Sequence, residues 1–357
     1  MKSPLYINAT ACISPQHTME SDDFLKTDEI NIDIPMRSIE PNYKSYIDRR
    51  YLRRMGRMVR MGVSAAVKTL KEAGVDNPDA ILVGTGLGCL EDTVKFLQAI
   101  YESDENIASP NQFIQSTHNN VAAQIALLYG CYNYNFTYVH RGFSFESALL
   151  DAVLHAAEAN DQPTNILVGA CDELIDMYLE VIEKLNIWKP KNTSDKKAFG
   201  VGNGNTPGEG AAFFAVGNMQ QPNSIAKLEA LQMIYKPRSK EVLLAQVKQF
   251  LSIEDIDLDT IDLVLLGHDG GNNAKDDYSQ VVDELFSARP QGAFKHLCGE
   301  YKTSGAFATW LAVEMIRQQH VPSFVRLNEI ESSDTKRILI FNNYNSSNYV
   351  LSVISYV

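Results

Sequence analysis

No stretch of about 18 consecutive apolar residues occurs in this 357-residue sequence, so no membrane-spanning helix is expected. The opening MKSPLYINATACISP lacks the apolar centre of a secretory signal. Cysteine is scarce and scattered. Cys12, Cys89, Cys131, Cys171 and Cys298 are odd in number, and no two form a CxxC pair. That pattern argues against a disulfide framework or a zinc site and fits a reducing cytoplasm. Positive charge is also short. Lys and Arg total 32 against 44 Asp and Glu, a net charge of −12, which disfavours general binding to nucleic acid or anionic membrane. No Pro/Gly/Ser-rich linker interrupts the chain, so its parts are expected to pack as one body.

What is present is a soluble balance, 45% apolar and 21% charged, arranged as strands alternating with helices. The first sixty residues read as polar and irregular, apart from a helical pattern over 46–73 that stops at Gly74. AILVGTGLG (80–88) is a strand running into a glycine turn, followed by a helix at LEDTVKFLQAIY. SPNQFIQSTHNNVAAQIALLYG (109–130) is a loop leading into a helix. NFTYVHRG (135–142), TNILVGACDE (164–173) and GEGAAFFAVGN (208–218) are strands, and SFESALLDAVLHAAEA (144–159) is a helix.

The second part repeats this order. IDLVLLGHDGG (261–271) matches AILVGTGLG, DDYSQVVDELF matches LEDTVKFLQAI, and FKHLCGEYKTSGAFATWLAVEMIRQ (294–318) matches YVHRGFSFESALLDAVLHAAE. RILIFNNYNSSNYVLSVISYV (337–357) supplies closing strands. Such alternation implies an α/β fold with a mostly parallel sheet, and two sets imply a duplication, expected as halves 1–222 and 223–357. Loops at the carboxyl ends of parallel strands converge on one crevice, so a site built from both halves is expected.

Six segments in order resemble the condensing enzymes, the β-ketoacyl-acyl-carrier-protein synthases and their polyketide relatives. VGTGLGCLEDTVKFL (83–97) and FIQSTHNNVAAQIALLYG (113–130) are similar to the early strand and the segment before the active-site strand. GEGAA (208–212) resembles GEGA, GHDGGNNAKDD (267–277) resembles HGTxTxxxD, FKHLCGEYKTSGA (294–306) resembles KxxxGHxxxAAG, and NNYNSSN (342–348) resembles GFGGTN. The resemblance implies a thiolase-like α/β fold of five layers, α-β-α-β-α, with two pseudo-repeated halves. It also implies a dimer, either a homodimer or a heterodimer with a cysteine-bearing ketosynthase, and an acyl carrier protein as partner.

Carried over residue by residue, the family's cysteine position falls on Glu146, its first histidine on His268, its lysine on Lys295 and its second histidine on Glu300. Tyr344, Asn348 and Phe145 fall at the pocket and its gate, with Asn345 and Ser346 where the family has glycines. A carboxylate attacking a thioester would give a readily hydrolysed mixed anhydride, so condensation through residue 146 is not expected. The leading expectation is a ketosynthase-like, chain-length-factor-type subunit of a polyketide, aryl-polyene or fatty-acid-type system. The alternatives are a malonyl decarboxylase using His268 as donor and Glu300 as acid, a Glu146/Glu300/His268 acid–base catalyst on acyl thioesters, or a scaffold without activity.

Other features have plainer explanations. GTGLG lacks the third phosphate-facing glycine of a dinucleotide fingerprint, so no cofactor is expected. An acidic residue at a helix start is ordinary, and His118 and His140 fit core or loop roles. Arg49, Arg50, Arg53, Arg54, Arg57 and Arg60 are first a solvated face and second a surface that would steer an acidic carrier protein.

Overall fold

The computed structural model describes residues 4–20, 24–27, 29–105, 109–159, 162–185, 205–267, 277–330 and 334–357. His268 lies outside these residues. The N-terminal part comprises β1 (Leu5–Ile13), α1 (Arg49–Leu52), α2 (Arg57–Ala73), β2 (Ala80–Gly84), α3 (Leu90–Glu102), α4 (Pro110–Ser116), α5 (Asn120–Tyr129), β3 (Tyr134–Tyr138), α6 (Ser144–Glu158), β4 (Ile166–Asp172), α7 (Asp176–Lys184) and β5 (Gly210–Gly217). There follow β6 (Ala226–Tyr235), α8 (Lys240–Ile253), β7 (Leu263–Leu266), α9 (Asp277–Phe286), β8 (Gln291–Ala293), α10 (Lys295–Cys298), α11 (Ser304–Gln318), β9 (Arg337–Tyr344) and β10 (Asn348–Tyr356).

The ten strands run β3-β2-β4-β5-β1-β6-β10-β9-β7-β8, the same five-strand order read outwards twice from a seam between β1 and β6. At that seam Leu5 faces Leu228 and Ile7 faces Ala226, antiparallel. β2 pairs in parallel with β3 and β4, and β7 with β8 and β9, whereas the five pairings around the seam are antiparallel. The sheet is therefore mixed, not mostly parallel, because β5 and β10 run antiparallel to β4 and β9 beside them.

Three cores explain the layers. Alternate residues of each strand face opposite ways: Ala80 and Leu82 of β2 join a central cluster, while Ile81 and Val83 join an outer one with α2 and α5. In β9, Ile338 and Ile340 face the central cluster, and Leu339 and Phe341 face α8 and α9. α6 and α11 lie in the middle, each packed on strands of both parts. This gives the five layers. α11 is buried continuously from Ser304 to Ile316, as its small and apolar sequence requires of a helix covered on all sides.

Two further expectations need correction. The supposedly irregular first sixty residues contain β1, a central strand whose side chains are nearly all buried. The helix expected over 46–73 is broken. α1 ends at Leu52 and α2 begins after Gly56, against which the Asp92 carboxylate packs so closely that a Cβ there would lie 1.9 Å from Oδ2. Gly74 does end α2, in the left-handed conformation at φ 69°. Among the described residues, no helix is long and apolar enough to cross a membrane.

Candidate active site

The carboxyl ends of β2, β4, β7 and β9 meet the N-termini of α6 and α11. A Cβ on Gly84 would lie 2.5 Å from the Ser144 carbonyl oxygen, so glycine is what lets β2 approach the start of α6. Gly267, just past β7, packs on the Asn342 side chain of β9 in the same way. Asp172, the last residue of β4, ties the crevice together. Its Oδ1 accepts from Thr85 Oγ1 (3.0 Å) and the Gly86 N–H (2.8 Å), and its Oδ2 accepts from Thr303 Oγ1 (2.9 Å) at the head of α11. Burial pushes its carboxyl up, opposed by nearby Lys302 and these donors.

Glu146 lies in the first turn of α6 and is only 2% exposed. Its Oε1 faces Gly305, where a Cβ would sit 2.2 Å away, and its Oε2 has no hydrogen-bond partner. Burial raises its pKa to about 8, against a smaller lowering by its own backbone N–H. Glu146 is therefore mostly a neutral carboxylic acid at pH 7, wedged between two helix starts.

Glu300 has different surroundings. Its Oε2 is 2.5 Å from the Lys295 ammonium, and both side chains are buried. Lys295 also donates to the Asn343 carbonyl, and Asn205 Nδ2 donates to Glu300 Oε2 (3.4 Å). The Glu300 backbone is stitched to the other part of the chain, its N–H to Thr206 O and its C=O to Gly208 N–H. Among the described residues no hydrogen bond joins Glu146 to Glu300, and their polar surroundings differ.

The remaining residues divide. Tyr344 packs over Gly142, where a Cβ would lie 2.8 Å from its own, and burial with the nearby charge of Glu300 pushes its phenol up. Asn348 is buried at the start of β10, accepting from Ser347 Oγ (2.8 Å). Phe145 belongs to the central core, its ring 5.8 Å from Phe214. Asn345 and Ser346 adopt φ 57° and 48°, so the left-handed turn is kept without glycine. Arg141 is also left-handed, at φ 53°, one residue before Gly142. Strained backbone thus flanks the crevice on both sides. His118 and His140 are exposed, and all five cysteines are buried.

Asp172 escaped the sequence reading because its partner Thr303 is 131 residues away. So did Glu209, held bidentately by Arg57 (2.6 and 2.7 Å) and by the N–H groups of Ser38 and Leu174. The signal for Glu209 was its place in the GEGAA segment.

Residues 41–193, which include Glu146, match the family described as beta-ketoacyl synthase, N-terminal domain. The fold is ketosynthase-like. Its fold is similar to that of the ishigamide ketosynthase/chain length factor, at 13% identity over 99% of both chains and a TM-score of 0.81. It is similar to a type II polyketide ketosynthase bound to the hexaketide and in complex with its acyl-carrier protein (17% identity, 99% of this chain and 100% of that one, TM-score 0.74). It is also similar to a ketosynthase in complex with its chain length factor from Xenorhabdus doucetiae (13%, 100% and 98%, TM-score 0.72). No curated protein matches the sequence. The thiolase-like, five-layer fold that the motifs implied is thus the fold observed.

Proposed function

We propose that this ketosynthase-like chain is a chain-length-factor-type subunit. In this reading it completes a dimer with a cysteine-bearing ketosynthase and shapes the pocket for chains carried on an acyl carrier protein. The observation that carries the reading is Glu146. It stands at the start of α6, where the resemblance puts the family's cysteine, and it is buried and packed against Gly305. A neutral carboxylic acid is a poor nucleophile, and any acyl anhydride formed there would hydrolyse.

The Lys295–Glu300 pair weighs against the decarboxylase alternative. An ion-paired carboxylate accepts hydrogen bonds and offers none to a developing enolate oxygen, so an oxyanion would be repelled there. Partnering is supported by β3, an edge strand with exposed Tyr134 and Phe136. The relatives of this fold include a ketosynthase bound to its chain length factor and one bound to an acyl carrier protein.

The test is co-expression with a ketosynthase and its carrier protein, followed by mass spectrometry of carrier-bound products. Products of defined length are expected only when both subunits are present, with no turnover by this chain alone. Decarboxylation of malonyl-thioester by the isolated chain, abolished by His268→Ala or Glu300→Gln, would replace this reading with the decarboxylase one.

A further inference from the structure

One side chain fills the rim of the Glu146 crevice. Gly84, at the end of β2, touches the start of α6, and Gly86, two residues farther along the same turn, is half-buried. Gly86 is not left-handed, as Gly88 is at φ 67°, so a glycine at 86 provides room and not a turn. Lys302 takes that room. A Cβ on Gly86 would overlap the Cβ, Cγ and Cδ of Lys302, the three atoms nearest to it. The lysine head continues to Tyr178 of α7, its Nζ 3.3 Å from the phenol oxygen and 5.4 Å from the ring centroid. Tyr178 in turn lies close enough to Tyr344 to act on its phenol. Lys302, Tyr178 and Tyr344 are all half-buried and run as a row over the crevice.

This lysine is held at its root as well as at its head. Its neighbour Thr303 donates to Asp172 Oδ2 (2.9 Å), and the Gly86 N–H donates to Asp172 Oδ1 (2.8 Å). One buried carboxylate thus ties together the backbone that carries the stem and the glycine on which the stem lies. Its other neighbour, Tyr301, is buried. A lysine stem covers apolar surface while its head stays in water, which suits it to shut an opening at a rim. We infer that Lys302 is the residue that bars an acyl chain from this crevice, its stem filling the space before Gly86 through which a thioester-borne chain would approach Glu146. The ligand class rests on the chain-length-factor reading, which the plug deepens: a subunit whose own crevice is shut leaves the growing chain to its partner.

Isothermal titration of the full chain with S-octanoyl-N-acetylcysteamine, a soluble acyl thioester, tests this. Lys302→Ala is expected to bind it about tenfold more tightly than wild type, since each buried methylene is worth about fourfold in affinity and room for about two is gained. Lys302→Met keeps a stem of similar length without the charge and is expected to stay as closed as wild type. Should Lys302→Ala lose its fold by circular dichroism, Lys302→Val, which keeps the packing on Gly86 as far as Cγ, carries the same test. Wild type binding as tightly as Lys302→Ala overturns the plug. So does Lys302→Met opening the crevice as far as Lys302→Ala, which would make the charge and not the stem the barrier. Co-expression of Lys302→Ala with a ketosynthase and its carrier protein separates the two readings. A gain in binding with products formed in the absence of this chain rejects the subunit role and leaves the plug. Products that require this chain, with no gain in binding, reject the plug and leave the subunit role.

Discussion

Glu146 sits where negative charge is normally welcome. A helix N-terminus favours a carboxylate by about 0.3–1 kcal/mol, up to about 2 when partly buried. Desolvation of a fully buried carboxylate costs more, and the pKa of about 8 says that it wins. The consequence for stability has a definite sign. Below pH 4.5 the folded and unfolded chains both keep the proton. Between there and about pH 8 the unfolded chain gives it up while the folded chain retains it, so stability falls as pH rises. Glu146→Gln removes this slope. Its thermal midpoint is expected to match wild type near pH 5 and to exceed it at pH 8.5, the ceiling being about 5 kcal/mol. Midpoints that keep a constant gap across that range would mean that Glu146 is ionised and compensated. The sequence located Glu146 and Glu300 because both follow local patterns, a strand-to-helix elbow and a fixed spacing from Lys295. Their ionic states were not legible. Those depend on which distant groups pack beside them, an ammonium for Glu300 and a glycine of another helix for Glu146.

Between elements, the decisive contact is the meeting of α6 and α11 through Glu146 and Gly305. A methyl at 305 would sit 2.2 Å from Glu146 Oε1 and 3.3 Å from its carboxyl carbon, so the buried carboxyl would have to shift to admit it. Gly305→Ala is expected to destabilise by about 1–3 kcal/mol, the usual cost of overpacking. In a Glu146→Ala background most of that cost should vanish, giving a coupling energy visible in a urea-denaturation double-mutant cycle. Additive effects would place the two helix starts further apart. Periodicity revealed most elements here, including α6, α11 and the strands around them, since each carries its own apolar pattern. It missed β1, where Asn8 and Thr10 make LYINATACI look polar although both are buried in mid-sheet. It also ran α1 and α2 together, because the arginines hide the break before Gly56, where the Asp92 carboxylate of α3 packs.

At the scale of the whole molecule the two sheet edges are treated differently. The β8 edge is covered by its own chain: Ala293 N–H bonds to Val325 O, and Leu327 N–H to Gln291 O. The β3 edge is not. Among the described residues β3 pairs only with β2, and its sequence YNFTY puts Tyr134, Phe136 and Tyr138 on alternate positions, with the first two rings stacked at 6.3 Å. Exposed Leu150 and Leu154 on the neighbouring α6 enlarge the apolar surface. A long apolar edge left bare invites aggregation, so a chain that stays in solution needs it occupied. A second subunit of the same fold, presenting the same edge, would pair with it antiparallel and bury the rings. Phe136 is 48% exposed and contributes little to the protein's own core, so Phe136→Asp is expected to leave the thermal midpoint within about 2 °C of wild type. In pull-down with a co-expressed ketosynthase, the same variant should lose most of the partner, because an unpaired carboxylate would be buried at the centre of the interface. Undiminished co-purification of the partner with Phe136→Asp would move the interface elsewhere and leave the bare edge unexplained.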